Sequence, residues 1–288
     1  MLTINAPAKL NLYLKVLSEM TDGYHGIETL FERIDLCDKI SIGIKNNSRN
    51  IVWCSDKNIP SGPQSLMGKC ISLFKKASGC EKFFEIRIEK HIPVSAGLGG
   101  GSSDAAAVLK GLNSITNNPL SKKDLITIGK GLGADIPFFL HDHSFAFGRG
   151  RGDEIEPASA TAKIAHILVN PPFGVSTKHI YDRVKALTLT NTKGVDKMFN
   201  VFLEKKDINA MAKNICNDLQ PIALKEFPLL EKVFAEIREA GAKGVLLSGS
   251  GPTVFGIFDR AKIKKAKIYL EKIFRSRERW GVYETYTC

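Results

Sequence analysis

The chain has 288 residues, 43% of them hydrophobic, enough for a substantial core in one large domain or two of medium size. Its 41 Lys and Arg against 30 Asp and Glu leave a formal charge of +11, which favours anionic partners: nucleotides, phosphorylated metabolites, nucleic acid or acidic lipid. The six cysteines (37, 54, 70, 80, 216 and 288) include no Cys-x-x-Cys pair, no apolar run nears the roughly 20 residues of a membrane helix, and Met1-Leu-Thr-Ile-Asn-Ala-Pro7 is no leader; the expectation is a soluble, reduced, cytoplasmic protein.

The first element is Ala6-Pro-Ala-Lys-Leu-Asn-Leu-Tyr-Leu-Lys-Val16, where Leu10, Leu12, Leu14 and Val16 alternate with Lys9, Asn11, Tyr13 and Lys15. That period predicts a half-buried strand with Lys9 and Asn11 side by side on its polar face. Asp22-Gly-Tyr-His25 reads as a turn that leaves Tyr24 and His25 at a loop tip, either packing the loop or stacking on a flat ring and bonding its edge. Strands are expected near 27–34 and 38–44, then a helix with the core stripe Met67, Cys70, Ile71 and Phe74. A further strand, marked by Phe84, Ile86 and Ile88, ends at Lys90.

The densest signal follows: Pro93, Val94, Ser95, Ala96, Gly97, Leu98, Gly99, Gly100, Gly101, Ser102 and Ser103, feeding a helix marked by Ala105, Val108, Leu109 and Leu112. A plain turn needs one glycine or two, and this loop has four in five positions. Glycine permits positive φ and lets a ligand approach the amides, and a helix N-terminus offers free N–H donors and partial positive charge to phosphate. Ser102 or Ser103 is expected to cap that helix. No Gly-Lys-Ser/Thr follows, so this is no Walker A loop, and the Gly-x-Gly-x-x-Gly spacing is absent.

Downstream, Ser121-Lys-Lys-Asp124 predicts a capping box opening a helix closed by Gly129, Gly131 and Gly133. In Gly133-Ala-Asp-Ile-Pro-Phe-Phe139 the carboxylate of Asp135 is a helix cap, a working group, or both. His141-Asp-His143 reads as a polar turn rather than a metal clip, and Phe145 to Gly152 as a strand and a basic glycine turn. An apolar strand (Ile164, Ile167 to Val169) runs to Asn170-Pro-Pro172, Ser176 or Thr177 caps a helix carrying Tyr181, and Leu230, Val233, Phe234 and Ile237 mark a helix stopped by Gly241. Gly244 to Phe258 reads strand, tight Ser248-Gly-Ser-Gly-Pro-Thr253 loop, strand; a helix on Ile263, Ala266, Leu270 and Ile273 and a strand near 279–286 finish the chain. The basic groups at Lys262, Lys264, Lys265 and Lys267 and at Arg275, Arg277 and Arg279 read as solvated faces.

Pro-x-x-Ala-Gly-Leu-Gly-Gly-Gly-Ser-Ser-x-Ala-Ala resembles the phosphate loop of the GHMP kinases, which are ATP-dependent small-molecule kinases. Pro7-Ala-Lys-Leu-Asn-Leu12, Gly133-Ala-Asp-Ile-Pro-Phe138 and Ser248-Gly-Ser-Gly-Pro-Thr253 resemble three more of the family's segments in the family's order. The resemblance implies an α+β fold of two domains, drawn here as residues 1–160 and 161–288. It implies ATP on residues 93–103 with Lys90 adding a contact, Mg²⁺ with Ser103 as a candidate ligand, and Lys9 and Asp135 as catalytic cation and base. Asp-Gly-Tyr-His resembles the branch whose substrate carries a cytidine diphosphate. That implies Tyr24 and His25 on the cytosine, with Asn11, Thr177 and Tyr181 on the substrate side. The expected partners are small molecules, with neither nucleic acid nor membrane, and the expected assembly is a monomer or weak homodimer.

Overall fold

The computed structural model describes residues 1–21, 23–46, 48–158, 162–184, 207–274 and 279–288; Asp22, Arg275 and Arg277, singled out above, lie outside them. Two units form. The first takes Met1–Ala8, Cys37–Ile92 and Gly99–Asp142, and the second Lys9–Leu36, Pro93–Leu98 and His143–Cys288. Strands β1 (Leu2–Glu19) and β2 (His25–Lys45) are long enough to contribute to both.

In the first unit β3 (Ile51–Cys54) lies parallel to β4 (Phe83–Glu89), and β4 runs antiparallel to β2, pairing Ile40 with Ile88 and Ile42 with Ile86. All four of those isoleucines are buried, so the period-two pattern reads out directly as a core face. Helices α1 (Leu66–Ser78), α2 (Gly100–Ile115), α3 (Lys122–Leu132) and the short α4 (Ile136–Leu140) complete the unit. The α1 stripe is buried as predicted, with Phe74 edge-on to Phe84 at 6.4 Å. Gly111 lets α2 lie close on the strands, since a Cβ there would fall 2.3 Å from Ile42 Cδ1.

Two predicted strands, 27–34 and 38–44, are one continuous strand, β2. Asp35 and Asp38, inside this strand, serve as hydrogen-bond acceptors. In the second unit Asp35 accepts from the Tyr286 amide at 2.9 Å, and in the first Asp38 accepts from the amides of His91 and Ile92 at 2.5 and 2.8 Å.

The capping box at α3 forms as expected: Ser121 Oγ accepts from the Asp124 amide at 3.2 Å, and Asp124 accepts from Ser121. Gly129 and Gly131 lie inside the helix, and only Gly133 terminates it. Ser121→Ala is expected to cost about 1 kcal/mol in urea unfolding. The hydrogen bonds from Ser121 hold the Asp124 carboxyl below its usual value. That part of the box is therefore present above the ordinary carboxylate pKa and is lost as pH falls through the lowered one. The gap between wild type and Ser121→Ala should narrow in acid; a constant gap would assign it to the serine alone.

In the second unit β5 (Phe145–Arg149) and β6 (Glu154–Ala158) form a hairpin beside β2, and β8 (Cys216–Asn217) runs parallel to β1. A second sheet is ordered β11 (Gly281–Tyr286), β7 (Ala165–Asn170), β10 (Val254–Phe258), β9 (Gly244–Leu247). Its core includes Ile167, Val169, Val254 and Phe258 together with Leu230, Val233, Phe234 and Ile237 of α8 (Leu229–Glu239) and Ile263, Ala266 and Leu270 of α9 (Ile263–Phe274). Shorter helices are α5 (Thr177–Tyr181), α6 (Ile208–Ala212) and α7 (Gln220–Glu226). Both units mix strands and helices, the α+β character expected. No helix among the described residues is long and apolar enough to cross a membrane.

Candidate active site

The first unit holds the helical end of the glycine loop. Gly99 adopts φ +68° and occupies the N-cap of α2, and no side chain makes a capping hydrogen bond there. The serine cap predicted above is therefore corrected: Ser102 and Ser103 sit inside the first turn. Three consecutive glycines leave the first amides of α2 without Cβ cover, where an anion is received by N–H donors and the helix dipole. Ser103 Oγ is buried and has no hydrogen-bond partner among the described residues. An orphaned hydroxyl in this turn fits an oxygen ligand for Mg²⁺ carried on a phosphate. Among the described residues no group of three His, Cys, Asp or Glu is placed to hold a metal by itself.

Asp135 stands at the N-cap of α4 with φ −80° and ψ −14°, and its side chain makes no capping hydrogen bond. Of the two roles offered by the sequence, the carboxylate does not fill the cap. Its segment is fixed by packing: a Cβ on Gly129 would fall 2.8 Å from Leu140 Cδ1 and 2.9 Å from Ile136 Cγ2. A Cβ on Gly133 would fall 4.0 Å from Ser102 Oγ, so the aspartate segment lies along the first turn of α2. The ammonium of Lys90 is taken by two carboxylates, Asp38 and, at 2.7 Å, Asp104. Asp142, between His141 and His143, pairs with Lys110 at 2.6 Å.

The second unit holds Lys9, and here the half-buried strand is corrected, because both faces of β1 are covered around it. Lys9 is 5% exposed and Asn11 1%. Burial of the polar face is balanced by a directed chain of hydrogen bonds. Lys9 Nζ donates to Asn11 Oδ1 at 2.5 Å, Asn11 Nδ2 to Thr29 Oγ1 at 2.8 Å, and Thr29 Oγ1 to Tyr13 O at 2.6 Å. Lys9 also donates its amide to Leu98 O at 3.0 Å, which ties the strand to residues 93–98. Val94 is exposed, Ser95 has φ +54°, and Ala96 accepts from the Thr253 amide at 3.4 Å. Gly97 O accepts from Ser248 Oγ at 2.9 Å, so the Ser-Gly-Ser-Gly loop packs against residues 93–98. A Cβ on Gly249 would lie 3.4 Å from both Lys9 Nζ and Asn11 Oδ1.

On the substrate side, Ser176 caps α5 as predicted. Thr177 Oγ1 shares a 3.0 Å hydrogen bond with Ser250 Oγ. The ring of Tyr181 lies 6.3 Å from that of His25. Tyr24 is 60% exposed, with the Arg151 guanidinium 4.4 Å over its ring. His25 Nδ1 lies 3.2 Å from Leu17 O. A carbonyl only accepts, so Nδ1 carries the proton and Nε2 of the neutral ring is an acceptor.

Sequence reasoning missed Thr29, Ser250 and Asn217. Asn217 Nδ2 donates to the carbonyls of Leu247 and Gly249, each at 2.8 Å, and so holds the Ser-Gly-Ser-Gly loop from beneath. Ser250 stands inside the Ser248–Thr253 segment but its pairing with Thr177 has no local signal, and Thr29 and Asn217 stand in no motif; only spatial neighbours reveal them.

An N-terminal kinase segment with a glycine-loop helix, followed by a C-terminal segment, is also what family comparison finds. The chain belongs to the GHMP kinases: the model for the GHMP kinases N terminal domain matches residues 65–143 and that for the GHMP kinases C terminal matches residues 199–275. Within the family, a 4-diphosphocytidyl-2-C-methyl-D-erythritol kinase of Geobacter metallireducens is 39% identical over 257 residues, 89% of each chain. A crystal structure of 4-(cytidine 5'-diphospho)-2C-methyl-D-erythritol kinase superposes with TM-score 0.82 at 30% identity, covering 100% of both chains. A homoserine kinase from Cytophaga hutchinsonii, 18% identical with TM-score 0.76 and covering 99% of this chain and 94% of its own, shows the shared fold alone.

Proposed function

We infer that this protein is a 4-diphosphocytidyl-2-C-methyl-D-erythritol kinase. It transfers the γ-phosphoryl group of ATP to the 2-hydroxyl of its substrate, a cytoplasmic step in the methylerythritol phosphate route to isoprenoid precursors. The observation that carries the substrate is His25. With Nδ1 bonded to Leu17 O, its Nε2 is an acceptor, and the exocyclic amine of cytosine is a donor. Tyr24 offers an aromatic face beside it, and Tyr181 a second ring. Homoserine and mevalonate carry no base to use these groups.

Phosphoryl transfer needs positioning and charge neutralisation more than covalent chemistry. The amides of residues 93–103 hold the ATP phosphates, with the open α2 N-terminus supplying positive potential. Mg²⁺, with Ser103 as a protein ligand, supplies charge neutralisation on those phosphates. Asp135 accepts the proton of the attacking hydroxyl. Lys9, held by Asn11 in a buried setting where charge acts strongly, stabilises the negative charge that develops. Asn11 and Thr177 complete the substrate side. The protein works as a monomer or weak homodimer, on small molecules rather than on nucleic acid or membrane.

The test is ATP consumption with Mg²⁺ and the cytidine-linked acceptor, run beside homoserine and mevalonate. Turnover with the cytidine compound alone supports the reading; turnover with another acceptor overturns the roles of Tyr24 and His25. His25→Ala is expected to raise KM for the cytidine substrate about 10–100-fold, since a half-buried hydrogen-bond acceptor is lost, with the Kd for ATP unchanged. Equal losses for both ligands would mean general damage.

A further inference from the structure

The charged cluster inside the first unit has no part in the reaction just described. Lys90 follows β4, and its side chain is 7% exposed between the carboxylates of Asp38 and Asp104. Asp38 is fully buried and its Oδ1 takes the amides of His91 and Ile92, the two residues that lead toward the glycines. Asp104 belongs to α2, the helix that leads away from them. The amide of Lys90 is itself anchored to Ser55 Oγ at 2.9 Å. The start of the helix rests on this cluster: a Cβ on Gly100 would fall 3.1 Å from Ile92 Cγ2 and 3.3 Å from Lys90 Nζ.

Three charges buried together are costly, and apolar packing in their place would hold the fold as well or better. What the cluster supplies is registry. It joins residues 90–92 to residues 99–104 through one ammonium, with two carboxylates fixing its direction. Burial works against the Lys90 ammonium, but the two carboxylates outweigh it and hold its pKa above the usual lysine value.

We propose that Asp38, Lys90 and Asp104 are positioning residues for nucleotide binding, locking the chain that enters the glycine segment to the helix that leaves it and so presetting the amides that receive the phosphates. Lys90 then acts through the loop, not on the nucleotide. The proposal rests on the assignment of the glycine segment to ATP phosphates.

A double-mutant cycle on ATP affinity separates the two roles of Lys90. The Kd for Mg·ATP is measured by calorimetry for wild type, Lys90→Met, Asp104→Asn and the double variant, beside the KM for the cytidine acceptor. Each single change is expected to weaken ATP binding about 10-fold or more, and the double change no more than the worse single one, with the acceptor KM constant. Additive losses, or a large loss in Lys90→Met with wild-type affinity in Asp104→Asn, would make Lys90 a direct ligand and overturn the proposal. Parallel losses for ATP and acceptor would reduce the cluster to a structural role and also overturn it. Should Lys90→Met not fold, with two carboxylates left unpaired, the near-isosteric Asp38→Asn and Asp104→Asn decide: unchanged ATP affinity in both overturns the proposal. A wild-type chain that does not bind ATP overturns the loop assignment first, a result distinct from additivity on intact binding.

Discussion

Asp135→Asn is expected to lower kcat about 10²–10⁴-fold while changing unfolding stability by less than about 0.5 kcal/mol. Both halves follow from how Asp135 is held. Its backbone is already helical and its side chain makes no capping hydrogen bond, so exchanging the carboxylate for an amide removes no cap from α4. Asparagine is in any case as good an N-cap as aspartate. The segment is kept in place by Gly129, which lets Ile136 and Leu140 close on α3, and by Pro137 at the start of the helix. The asparagine variant therefore keeps the side chain's shape and loses the negative charge and the ability to accept a proton. Saturating turnover with the cytidine acceptor, measured beside urea unfolding and ATP affinity, checks this. Near-normal turnover would remove Asp135 from the mechanism. A stability loss of 1–2 kcal/mol would return it to the cap role that its sequence context also allowed.

The sequence marks Asp135, Lys9 and the glycine loop because each sits in a local pattern. What it does not mark depends on partners far away in the chain. Lys9 and Asn11 alternate with leucines, and alternation alone predicts solvent on their side. Thr29 and the loop around Gly249 cover that side instead, and neither has a signal within reach of Lys9 in the chain. The gap at residues 35–37 separates the two predicted strands, with Asp35 at its start and Asp38 just after it. Both are acceptors for amides, near 286 and 91, and β2 runs straight through them. Lys90 shows the limit most clearly. A lysine just before the loop is read as adding a contact to the nucleotide, and nothing local announces that its ammonium pairs with Asp38, 52 residues earlier, and with Asp104, 14 residues later. The periodic elements were legible because burial alone sets them. The polar interior was not, because each buried charge must find a specific partner, and that partner is chosen by topology.

Gly97→Ala is expected to remove ATP binding and to destabilise the protein by about 3–4 kcal/mol, the sum of a backbone term and a docking term. The backbone term arises because Gly97 has φ +75°, a conformation that costs an L-residue about 1–2 kcal/mol. The docking term arises because the added Cβ would fall 2.1 Å from Ser248 O and 3.1 Å from Gly251 N. Those are backbone atoms on a loop pinned by Asn217, so no side chain can swing away to relieve the clash. The segment must lift, and the hydrogen bonds Ser248 Oγ to Gly97 O and Thr253 N to Ala96 O go with it, each contributing about 1 kcal/mol. Lifting also displaces Leu98, whose carbonyl receives the Lys9 amide, so ATP binding and the setting of Lys9 fail together. Gly131→Ala is the matched control. It lies inside α3 with nothing within 4 Å of a new Cβ, and helix propensity predicts a gain of about 1 kcal/mol with ATP affinity unchanged. Urea unfolding and calorimetric ATP titration of the two variants decide the point. If Gly97→Ala binds ATP normally and unfolds like wild type, the close approach of the two loops is not what holds the phosphate-binding amides in place.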